Sequence, residues 1–164
     1  MRVYVIAAAF LFLGACARAD RAPGPAATAR PLLIEGKGVT MPLEDAVRQI
    51  AFRSFVPTSA LAAVAVIPPL GNADTHENRG IAFEYAAGGG AMLLLSQWPA
   101  QDFGLVVGPA DLNARRCSPV RYAADAVIWS TRSALVMTLQ PDGKVSPGRV
   151  AAEARRLLAR GACG

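Results

Sequence analysis

The sequence predicts an α+β domain: a meandering antiparallel sheet of about five to six short strands, with an N-terminal and a C-terminal helix packed on one face. Three observations carry that expectation. Short apolar runs separated by glycine, proline and other turn residues fill positions 61 to 139. A segment opening on Pro42 with two acidic residues behind it precedes those runs. The chain then closes on a segment with an apolar stripe at helical spacing.

The first helix is punctuated by Thr40 or Met41 as cap, Pro42 in the first turn, and Glu44 and Asp45 near the positive end of the dipole. Leu43, Val47, Ile50 and Ala51 fall on one face, which is expected to lie on the core with Arg48 and Arg53 outward. The helix must end before Pro57, because a proline pushes the residue preceding it out of the helical region. Residues 61–67 form the next run, stopped by Pro68-Pro69. In 81–85, Ile81, Phe83 and Tyr85 alternate with Ala82 and Glu84, so one side of that strand is apolar. Gly88-Gly89-Gly90 reads as a hairpin connection in which glycine supplies positive φ. Residues 92–98 form the return strand, ended by Pro99. A brief strand is read at 105–107, followed by 120–122, 126–129 and, after a turn at Thr131-Arg132-Ser133, 134–139. Pro141-Asp142-Gly143 is a turn by composition.

The last helix is the clearest element. Ser146 can cap it, Pro147 suits its first position, and Val150, Ala154, Leu157 and Leu158 make the apolar stripe. Arg149, Glu153, Arg156 and Arg160 occupy the opposite side, and Gly161 ends the helix. About six short strands are too few to close a roomy barrel, so an open sheet with one exposed face is expected, without a large lipid cavity.

Ahead of this domain, Met1 and Arg2 precede eleven residues without a polar side chain apart from the Tyr4 hydroxyl, the pattern of an export signal. A helix of about a dozen such residues covers roughly 18 Å against a hydrocarbon core of about 30 Å, so it is too short to span a bilayer comfortably. The next residues, Leu13-Gly14-Ala15-Cys16, resemble the lipobox of bacterial lipoproteins. The resemblance implies that the Cys16 thiol receives a diacylglyceryl group, that the chain is cut between Ala15 and Cys16, and that the new amino terminus is acylated in turn. Anchoring by two or three acyl chains is effectively permanent, at about 0.8 kcal/mol per buried CH₂. Ala17 stands where an aspartate would signal inner-membrane retention in enterobacteria, which points to the outer membrane in a Gram-negative host. The organisation is then residues 1–15 as signal peptide, 16–39 as a lipidated Ala/Pro-rich tether, and 40–164 as a single α+β domain.

The formal charge is +5 over 164 residues, one unit of which leaves with Arg2. Arg18, Arg21, Arg30 and Lys37 make the tether mildly basic; they either add headgroup attraction at an anionic membrane or are simply solvated. The other basic residues are dispersed and lack interleaved aromatics, which argues against a nucleic-acid partner. Cys117 and Cys163 remain in the exported domain, where an oxidising compartment favours a disulfide between them; two reduced thiols are the alternative. A zinc site there would need further ligands, and the single histidine, His76, is distant in sequence.

From Pro42 to Cys163 the order of elements resembles a small exported domain distantly similar to half of the lipoprotein-carrier and sigma-factor-regulator barrels. The segments that carry it are Leu43-Glu44-Asp45-Ala46, Phe55-Val56-Pro57, Ile81-Ala82-Phe83-Glu84-Tyr85 with the glycine turn into Leu93-Leu94-Leu95-Ser96-Gln97, and Ala126-Val127-Ile128-Trp129. These are loose hydrophobic patterns that imply a fold more than an activity. Envelope sensing and the movement of lipidated proteins are the roles known in that group.

Asp74-Thr75-His76-Glu77-Asn78 is the one cluster with acid–base or metal-ligating potential, and its turn-forming neighbours read as a polar loop. Ser96 and Ser118 lack the surroundings of a nucleophile, and the glycine triplet lacks the lysine of a phosphate loop. Trp98 and Trp129 fill a core or stack on a ligand. No catalytic, cofactor or metal residues are therefore assigned. The expected function is non-enzymatic: a lipid-anchored envelope protein whose sheet face or edge binds another protein or supports an envelope assembly. A carrier or sensor of a hydrophobic ligand is the alternative, and a hydrolase using His76 the weaker third.

Overall fold

The structure is a computed structural model that describes residues 38–69, 73–103, 115–122 and 125–164. The signal peptide, Cys16, all but the last two residues of the segment read as tether, and the strand expected at 105–107 lie outside the described residues. Among the described residues seven strands form one antiparallel sheet: β1 (Val39–Thr40), β2 (Leu61–Ile67), β3 (Gly80–Ala87), β4 (Ala91–Pro99), β5 (Val120–Tyr122), β6 (Ala126–Ser130) and β7 (Leu135–Pro141). Their order across the sheet is β1-β2-β3-β4-β7-β6-β5, two meanders joined along β4 and β7. Three helices are described: α1 (Leu43–Arg48), a short α2 (Ala100–Phe103) and α3 (Pro147–Ala159). The seventh strand beyond the expected six is β1, whose two residues pair with Val66 and Ala65; it overlaps only the last residue of segment 32–39, which the sequence reads as either a short strand or a lead-in.

The turns form where the composition places them. Gly89 and Gly90 adopt φ of 78° and 74° between β3 and β4, a region closed to most side chains without strain. Gly80 serves differently, since a Cβ there would stand 2.5 Å from the Trp98 ring and 2.7 Å from the Gln97 carbonyl oxygen. Its missing side chain lets the indole lie across β3.

The first helix is shorter than expected. It stops at Arg48, and Phe55 instead donates its N–H to Gln97 Oε1 at 2.9 Å while its C=O accepts from Gln97 Nε2 at 2.5 Å. A helical residue sends those two groups in opposite directions along the axis, so capture by one amide requires the chain to leave the helix. Within the helix, Ala46 is fully buried and Val47 is 40 % exposed, reversing the face assigned to Val47.

Ile81, Phe83 and Tyr85 share one side of β3, and registers Phe83↔Leu95 and Leu95↔Leu139 continue that side across the sheet. Ala46 and Ile50 pack there with Val64, Val66, Ile81 and Phe83. Val150, Ala154 and Leu157 of α3 pack with Tyr85, Leu95, Trp129 and Met137. The other side carries Ile67, Ala82, Trp98, Ile128 and Val136, and all five are buried. The expectation of one exposed sheet face therefore fails. The runs 92–98 and 134–139 are apolar at both parities, the pattern of strands covered on both sides. Three polar atoms on that second side, Ser96 Oγ, Thr138 Oγ1 and Gln140 Nε2, are buried without a hydrogen-bond partner, on the two central strands.

Candidate functional site

Along one flank of α3 and its C-terminal cap, three arginines run in a row, and two of them reach off the helix. Arg149 donates to the Gly88 carbonyl in the β3–β4 turn at 2.7 Å. Arg156 donates to Glu153 Oε1 at 2.7 Å, and Arg160 donates to the Thr58 hydroxyl. Glu153, read from the sequence as outward, is buried to 7 % exposure and accepts from the Tyr85 hydroxyl at 3.2 Å. Burial first, and then the negative Glu153, push the Tyr85 hydroxyl far above the ordinary tyrosine range. Hydrogen bonding to Glu153 likewise raises Arg156. A cavity of about 230 Å³ opens beside this cluster, between the β3–β4 turn and α3. The cluster fastens the helix to the sheet, and its only buried charge is matched by Arg156.

The end of the sheet where β4 finishes and β7 begins has a different character. Segment 53–56 runs across it, held by Gln97, which is itself fully buried. Beside that segment lies a groove of about 540 Å³ walled by Phe52, Phe55, Val56 and Leu135, with Arg53 on its rim. A second cavity of about 360 Å³ adjoins it on the far side of Phe52 and Leu135. This composite groove is larger than the cavity of about 230 Å³ beside α3, and no sequence motif marked it. Gln97 was visible only as a polar residue inside an apolar strand.

The two domain cysteines also meet at this end, with Cα atoms 5.3 Å apart, within disulfide distance. The pairing has a backbone cause: Cys117 N–H bonds the Ser130 carbonyl, and Arg132 N–H bonds the Cys163 carbonyl, so β6 and its turn hold both segments. Cys117 takes a positive φ of 54° to make that approach.

The loop carrying Asp74, His76 and Glu77 spends its polar groups on its own shape and on the end of α1. Arg79 donates to Asp74 at 2.7 Å and thereby holds that carboxyl below its usual range. His76 Nε2 lies 3.2 Å from the Arg48 carbonyl, and Asn78 donates to the Ala73 carbonyl. Among the described residues no three His, Cys, Asp or Glu side chains gather in a metal-holding group. Trp98 and Trp129 are both fully buried, on opposite sides of the sheet, and Trp129 Nε1 donates to the Ala162 carbonyl at 3.0 Å. Ser96 is buried and Ser118 is exposed. Among the described residues no helix is long and apolar enough to cross a membrane. Comparison of the chain with known protein families, with curated proteins and with solved structures finds no match.

Proposed function

We propose that this chain is a non-enzymatic, lipid-anchored protein of the bacterial cell envelope, exported, cut before Cys16, and held to a membrane by acyl chains on that cysteine. The carrying observation is the apolar stretch ending in Leu13-Gly14-Ala15-Cys16, where two small residues fit a peptidase cleft and cysteine supplies the thiol. In a Gram-negative host the anchor lies in the outer membrane with the domain facing the periplasm. The domain presents a protein-binding surface, and α1 and α3 form the cover of one sheet face. This reading is preferred to a carrier of hydrophobic ligands because Tyr85, Leu95, Trp129, Val150 and Leu157 fill the space between α3 and the sheet where an acyl chain would have to lie.

The test is expression of the full chain with Cys16→Ser, followed by radiolabelled palmitate incorporation and membrane fractionation. The wild-type chain is expected to take up label and sediment with membranes, and the variant to lose the label and remain as a longer, uncleaved precursor. Equal labelling of the two would overturn the anchor.

A further inference from the structure

We propose that the groove beside segment 53–56 binds an extended segment of a partner protein, one carrying an apolar side chain next to a carboxylate, by adding it as a strand to that segment. The proposal rests on the protein-interaction reading above and names the surface and the chemistry of the partner.

The backbone argument comes first. One amide side chain serves both the N–H and the C=O of Phe55, which is possible only where those groups point the same way, as they do in extended backbone. Pro57 independently holds Val56 out of the helical region. In extended backbone the polar groups of successive residues alternate sides, so those of Ser54 and Val56 face away from Gln97. No hydrogen bond among the described residues engages them. Segment 53–56 thus has one edge closed by Gln97 and one edge open, which is the geometry of a sheet edge ready for strand addition.

The groove supplies the side-chain half of recognition. It follows the segment, and Phe52, Val56 and Leu135 give it apolar walls suited to an alternate side chain of the incoming strand. Arg53 lies on its rim and Arg132, exposed, adjoins its Ser133 wall, while the one acidic side chain of the composite groove, Glu77, lines the adjoining cavity and not the part beside 53–56. An apolar residue flanked by aspartate or glutamate answers both features, and a basic segment would be repelled. A helix would leave the Ser54 and Val56 groups unmatched.

The test is photocrosslinking in cells with the full chain carrying p-benzoylphenylalanine at one of four sites: Arg53 or Val56 in the groove, Ala152 on the exposed side of α3, or Arg121 on the β5 edge. Crosslinked segments are identified by mass spectrometry. Crosslinks are expected at Arg53 and Val56, to a segment with Asp or Glu beside a large apolar residue. Ser54→Pro removes a donor that the fold itself does not use, so it should leave the melting temperature unchanged. It should still lower the crosslink yield by about tenfold, because one strand hydrogen bond and the alignment it imposes are worth roughly that factor in affinity. Arg53→Glu, crosslinked from Val56, should lower it similarly. Yield unaffected by Ser54→Pro, or groove crosslinks only to lipid, to a basic segment or to a second copy of this chain, overturns the proposal. Crosslinks confined to Ala152 or Arg121 overturn it while leaving the interaction reading standing, and no crosslink from any of the four sites removes both.

Discussion

Replacing Glu153 with alanine separates the helix as its stripe reads from the helix as it is folded. On the outward side, where the polar spacing assigns Glu153, truncation would change stability by no more than about 0.5 kcal/mol. In the structure Glu153 is 7 % exposed and accepts from both Tyr85 and Arg156. Its removal strands the buried Tyr85 hydroxyl, a cost of about 1–3 kcal/mol. The lost side-chain methylene contributes roughly another 0.8 kcal/mol. Arg156, whose side chain is 39 % exposed, can turn to water, so its lost ion pair adds at most about 1 kcal/mol. The expected total is about 2–5 kcal/mol, read from urea unfolding at pH 7 with the slope unchanged. A cycle with Tyr85→Phe should show coupling of about 1 kcal/mol, because the phenylalanine background has no hydroxyl to strand. A loss below about 0.5 kcal/mol for Glu153→Ala with no coupling to Tyr85→Phe would refute the buried placement and return Glu153 to the solvent side.

Other perturbations test other parts of the fold. Because the folded-state pKa of Tyr85 is raised above the ordinary tyrosine value of 10.0, the unfolded chain ionises first as pH rises. The stabilisation is therefore complete below pH 10 and declines above it by up to about 1.4 kcal/mol per pH unit, and Tyr85→Phe should flatten that part of the wild-type stability curve in denaturant titrations. Paired serine substitution of Cys117 and Cys163 opens a closure of 46 residues, for which chain entropy gives a loss of about 4 kcal/mol by calorimetry under oxidising conditions. Gly80→Ala should cost about 1–3 kcal/mol, since its Cβ would meet both the Trp98 ring and a backbone carbonyl. Thr138→Val replaces a buried hydroxyl that has no partner with a methyl of the same shape, and should leave the midpoint of unfolding unchanged or raise it.

Several parts of this molecule were legible from neighbours a few residues apart. The glycine triplet had to turn, Pro147 and Gly161 bounded a helix, and alternation in 81–85 set one side of β3 apolar. Burial of the second sheet side was also written in the sequence, in runs apolar at both parities, although such runs resemble ordinary half-buried strands when taken one at a time. The groove was not legible, because it exists only where 53–56, the β6–β7 turn and the end of the chain come together. Gln97 shows the same limit: its partner lies 42 positions away, and nothing local distinguishes it from a polar residue on a wet strand face.

Most of the strands, the turns, the bounds of α3, the two cysteines able to pair and the lipobox-like start that carries the functional proposal follow from the amino-acid order alone. Each of those depends on backbone preference or on spacing within a few residues. The strand order, the inward turn of Glu153 and the capture of Phe55 by Gln97 emerge only once the chain is folded. A polar side chain is counted as outward until a partner is brought to it, and the Tyr85 hydroxyl that draws Glu153 inward comes from 68 positions earlier in the chain.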